Sequence, residues 1–169
     1  MKFFYGIVLI FSILIANNSC KKITSYPPEP ALEFKSFQLI DATDTLNNKV
    51  KSLDVEFSFI DGDGDLFSPI DTANSNSPVS KLFWTYYEKQ KGEFVQVPDS
   101  LLKTPTSSHL PYSDLMQRNG QNKTQKGTIK YTYLFYYPLP YDTLEIEFYI
   151  VDMAEHKSNV VRTPQIVLQ

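Results

Sequence analysis

Beyond its thirtieth residue the chain alternates between apolar and polar positions over much of its length. Val55, Phe57 and Phe59 are interleaved with Glu56 and Ser58, and Leu144, Ile146, Phe148 and Ile150 with Glu145, Glu147 and Tyr149. A period of two is the signature of a half-buried strand. Residues 128–137 are β-branched or aromatic almost throughout, which suits a pleated surface. Further strands are expected at 32–40, 81–88, 93–97 and 160–168. Turn signals separate them at Asp61-Gly62, 74–78, Lys91-Gly92, Asn119-Gly120 and 138–140. A helical period is nearly absent, and one short helix is expected at 112–118, opened by Pro111 or Ser113 and closed by Asn119-Gly120. The pattern predicts a single all-β domain over residues 32–169, a sandwich of about seven strands with one short helix in a long loop.

The first thirty residues follow a different rule. A single Lys2 precedes an apolar run at 3–16. As a helix this run would reach only about 21 Å, against a hydrocarbon core of about 30 Å. A short apolar run behind one positive charge, followed by small polar residues, reads as a secretory signal over residues 1–19. The run Ile15-Ala16-Asn17-Asn18-Ser19-Cys20 then ends in the only cysteine of the chain. It resembles the lipobox of bacterial lipoproteins, with Asn17 where a large aliphatic residue is usual. The resemblance implies that Cys20 is acylated and becomes the first residue of the mature protein. A lone cysteine can form no intrachain disulfide, and lipidation gives it a use. Residues 20–31 read as the lipidated cysteine and a Pro-rich tether, extended because prolines exclude helix. Lys21 is not the Asp that retains some lipoproteins in the inner membrane, so the outer membrane is the expected location, with its face left open.

Charge narrows the partners. The formal net charge is −3, and it becomes more negative once Lys2 is lost with the signal, which argues against nucleic acid. The two histidines, His109 and His156, stand in no Gly-x-Ser-x-Gly, His-Glu-x-x-His or Cys–His arrangement. An enzyme is not expected.

The constellation with chemical potential is Asp61-Gly62-Asp63-Gly64-Asp65, placed where a strand must turn. Calcium takes six to eight oxygen ligands, and carboxylates at alternate positions can point at one ion while glycines let the backbone wrap. The loop is not an EF-hand, because Leu66 and Thr72 stand at the sixth and twelfth positions. If 55–60 is strand B and 144–151 strand F of a sandwich, the loops after them share one end of the domain. Asp152 would then approach Asp61, Asp63 and Asp65, with Asp71 a further candidate ligand for Ca2+. The alternative is a solvated turn for which Asp and Gly merely supply the geometry. The run Phe57-Ser-Phe-Ile-Asp-Gly-Asp-Gly-Asp-Leu66 resembles a segment of uncharacterised Bacteroidota-type lipoproteins. The run Ile150-Val-Asp-Met-Ala-Glu-His-Lys-Ser-Asn159 is similar to the F–G corner of bacterial immunoglobulin-like repeats, Asp-x-Ala-Gly-Asn-x-Ser, with Glu155-His156 replacing Gly-Asn. These resemblances imply an immunoglobulin-like sandwich, in which Trp84 would be the core tryptophan of strand C.

Neighbouring tyrosines in strands must face opposite sides. Tyr87, Tyr136 and Tyr149 are therefore candidates for outward, ligand-facing positions, able to stack on a sugar ring or a protein partner. The segment 98–126 is too long for a hairpin turn and reads as a cap over the sandwich edge or as a binding loop. The sequence thus suggests a lipid-anchored, non-enzymatic binding or structural module of the cell envelope, stabilised by calcium. A carbohydrate-binding accessory lipoprotein is the alternative; the membrane and a glycan or envelope protein are the expected partners.

Overall fold

The computed structural model describes residues 25–67, 79–102, 105–111, 120 and 122–169. Cys20, Asp71 and the helix expected at 112–118 lie outside them. Two antiparallel sheets pack face to face. One has the order β1–β2–β6, formed by Ala31–Thr43, Lys49–Asp61 and Gln125–Tyr136. The other runs β4–β3–β7–β8, formed by Glu93–Gln96, Lys81–Gln90, Thr143–Val151 and Val161–Arg162. Two short strands extend the second sheet: β5 (Ser107–His109) beside β3, and β9 (Ile166–Val167) beside β7. The chain is thus an all-β sandwich, with β2 in the three-stranded sheet facing β7 in the larger one.

The alternating residues do what their period requires. Leu53, Val55, Phe57 and Phe59 of β2 face Leu144, Ile146, Phe148 and Ile150 of β7, all of them buried. The Phe57 and Phe148 rings, 4.6 Å apart, join the sheets. Trp84 lies in this core on β3, as expected. Lys91 (φ 52°) and Gly92 (φ 95°) connect β3 to β4 through a two-residue turn, and two consecutive positive φ angles suit the twist of a hairpin.

One expectation needs correction. The strand expected at 160–168 is two short strands, because Pro164 carries no amide hydrogen for the ladder. Thr163 bridges the break, its amide donating to the Ile146 carbonyl and its hydroxyl accepting from the Ile146 amide at 3.0 Å. The segment 98–126, read as a cap or a binding loop, also holds structure that the pattern did not mark, a 3-10 turn at Asp99–Leu101 and strand β5. Ser107, Ser108 and His109 carry no apolar alternation, so pairing with Lys81, Leu82 and Phe83 alone makes them a strand. Among the described residues no helix is long and apolar enough to cross a membrane.

Candidate metal centre

The end of β2 and the end of β7 lie at the same pole, and the loops that follow them meet there. Asp61, Asp63 and Asp65 from the first loop and Asp152 from the second each place a carboxylate oxygen within 4.8 Å of the others. The sequence-based grouping of these four residues is realised in space; Asp71 is outside the described residues.

The first loop is held from three sides. One Asp61 oxygen accepts the Leu66 amide at 3.0 Å. The Gln125 amide donates to the Gly64 carbonyl at 2.8 Å and accepts from the Phe67 amide at 3.2 Å. Leu66 and Phe67 are buried anchors, the latter with its ring 5.2 Å from Phe59. The glycines permit the close approach of neighbouring backbone. A Cβ on Gly62 would stand 2.0 Å from the Pro27 carbonyl oxygen, and one on Gly64 2.0 Å from that of Lys123. Residues 25–30, expected to be free tether, therefore end against the acidic loop. Lys126 covers the Tyr26 ring at 3.7 Å, and Asn159 brackets the Leu32 backbone with hydrogen bonds of 2.7 and 2.9 Å.

The second loop is a tight turn. Asp152 Oδ1 accepts the His156 amide at 2.8 Å and its Oδ2 lies 3.2 Å from His156 Nδ1. Glu155 takes φ 66°, a left-handed conformation that favours Gly. A residue with a side chain holds this conformation at a cost in strain.

The electrostatics are those of a site short of positive charge. Two ionised carboxylates this close repel by about 3 kcal/mol at an effective dielectric of 20, so four cannot ionise together unaided. Burial, together with Asp63 and Asp65, pushes Asp61 up to about 7, against a stabilising bond from Leu66. Burial, Asp152 and Asp63 push Asp65 up to about 6. Burial also raises Asp152, opposed by the His156 contacts. His156 loses some basicity to desolvation, but Asp152, Asp63 and Glu29 leave it net raised. Its Nδ1 is 3.8 Å from Asp63. One oxygen each of Asp61, Asp63 and Asp65 is buried with no hydrogen-bond partner among the described residues, and Asp61 is 0% exposed. Orphaned buried acceptors on an all-oxygen donor set fit a hard cation. His156 was not foreseen as part of this site; its spacing of four from Asp152, across a turn, was the available signal.

The three candidate tyrosines do not share a surface. Tyr87 and Tyr149 face outward on the second sheet, Tyr136 on the first. The Tyr87 hydroxyl donates to Glu147 at 2.8 Å and Arg162 covers its ring at 3.9 Å. Tyr149 stacks on Phe83 at 5.0 Å, with Lys157 3.9 Å from its ring centre. Tyr136 is half exposed at the far end of β6. Compared with protein-family models, with curated proteins and with solved structures, the chain matches none.

Proposed function

We propose that this chain is a calcium-organised binding module of a bacterial cell envelope, anchored in the outer membrane through acyl chains on Cys20 and without catalysis of its own. The observation that supports it best is the meeting of four carboxylates from two loops around buried, unpartnered oxygens. Carboxylates that are this crowded and desolvated favour a hard divalent cation, and a flexible set of oxygen ligands suits calcium better than octahedral magnesium. The ion would cross-link the two loops and leave their outer rim as a rigid recognition surface. The glycan alternative has less support, because Arg162 lies over the Tyr87 ring and Phe83 and Lys157 lie against that of Tyr149, which leaves Tyr136 alone of the three with an open ring.

The test is a thermal melt of the full chain in detergent, with calcium, with magnesium and with a chelator. A ligand confined to the folded state adds about 2.7 kcal/mol at a hundredfold excess over its Kd, or roughly 5–10 °C for a domain of this size. That gain should be calcium-selective and lost in Asp63→Ala. An equal midpoint in all three conditions would refute the metal reading. Acyl label on the wild type but not on Cys20→Ser would support the anchor, and its retention on Cys20→Ser would refute it.

A further inference from the structure

At the end of the sandwich away from the acidic loops, the two sheets part. The gap is a cleft of about 600 Å³, walled on one side by Trp84 and Tyr86 of β3 and on the other by β6. Its outer rim is Leu101, Leu102 and Pro105. Every residue from 131 to 137 lines it, inward- and outward-pointing side chains alike. A wall made of consecutive residues is a strand edge: an occupant of the cleft meets backbone amides and carbonyls as well as side chains.

That edge is open. β6 pairs with β2 on one side, and among the described residues no strand pairs with the other. Natural sheets protect such edges with charge, proline or a bulge. The half of β6 near the acidic pole follows this rule with Lys126 and Lys130, but residues 131–137 carry no charged residue and no proline. Leu134, Tyr136 and Tyr137 are 39%, 49% and 51% exposed there. An uncharged, aromatic, β-prone edge left bare invites uncontrolled pairing. Within the cleft wall, the Trp84 indole nitrogen is buried with no acceptor among the described residues, on a side chain only 4% exposed. Buried donors are rarely left unpaired.

We infer that the free edge of β6 at residues 131–137, with the aromatic cleft beneath it, receives an extended, uncharged peptide strand from another protein. The strand would become the fourth of its sheet, giving main-chain hydrogen bonds to β6 and placing alternate apolar side chains in the cleft. Seven residues of strand span about 20 Å. Leu101, Leu102 and Pro105 bound the cleft opposite β6, so its occupant lies between this rim and the strand edge. A folded second copy would bring its own rim against this one. The inference does not depend on calcium, because the cleft and the acidic pole sit at opposite ends of β6.

The chain holds a single tryptophan, so Trp84 emission reports occupancy directly. The probe is a capped heptapeptide, Thr-Val-Thr-Val-Thr-Val-Thr, with two copies N-methylated on one or the other set of alternate amides. The parent peptide should shift Trp84 emission saturably and slow amide exchange over 131–137. One methylated copy, the one whose donors face β6, should bind about tenfold more weakly, and so should the parent on Leu134→Lys. Leu134 is partly exposed, so that variant should keep the wild-type melting midpoint. Equal binding by all three peptides would overturn the inference, leaving a side-chain pocket. No saturable response would overturn it too, as would a peptide-free dimer protected at 131–137.

Discussion

The two ends of β6 solve opposite problems. At its start, Gln125 is buried and ties down a loop crowded with carboxylates, where polar groups exceed the partners available. At its finish, residues 131–137 are aromatic and uncharged, and apolar surface exceeds the cover available among the described residues. One strand therefore connects a pole short of positive charge to a flank short of a neighbouring strand. Each deficit points to a different kind of ligand, because a buried carboxylate is relieved by a cation and an open apolar edge by another chain.

The comparison is broken most directly by pH. In the folded state the Asp61 carboxyl keeps its proton up to about 7, whereas its ordinary value is 3.8. Between those values the folded chain holds more protons than the unfolded one, so stability falls as pH rises through the window. In chelator the chain should lose on the order of 2 kcal/mol from pH 4 to pH 7, read as a midpoint falling by several degrees. In saturating calcium the ion displaces the proton, and the same rise in pH should increase the midpoint. A chelated chain that gains stability over this range would show that the acidic pole is not strained.

Gly62→Ala separates the poles by structure rather than charge. Its Cβ would fall 2.0 Å from the Pro27 carbonyl, so residues 25–30 must move, at about 1–3 kcal/mol. Denaturant melts should show the loss, while Trp84 emission at the other end stays unchanged. A shift in that emission would mean that the two ends are not independent. The smallest effect belongs to Glu155→Gly. Relief of the left-handed backbone outweighs the added freedom of the unfolded chain, for a gain of about 0.5–1 kcal/mol, measurable as a higher midpoint in denaturant.

Much of this molecule was legible before its structure. The period-two alternation in β2 and β7 set which residues are buried, because a strand has only two faces and one of them must meet the core. Chain order then placed the loops after β2 and β7 together, and four of the five candidate metal ligands met as expected. What the sequence concealed has a common cause. β5 has no hydrophobic alternation and exists only because β3 offers it an edge; Pro164 divides the last strand at a point that the apolar pattern does not mark. The unpartnered oxygens of Asp61, Asp63 and Asp65, the seating of Pro27 on Gly62 and the approach of His156 depend on how loops distant in sequence exclude water from one another. Burial and partnership are properties of the packed chain. Local pattern determined the strands and their faces, and only the tertiary structure decided which polar groups and which edge are left, among the described residues, without a partner.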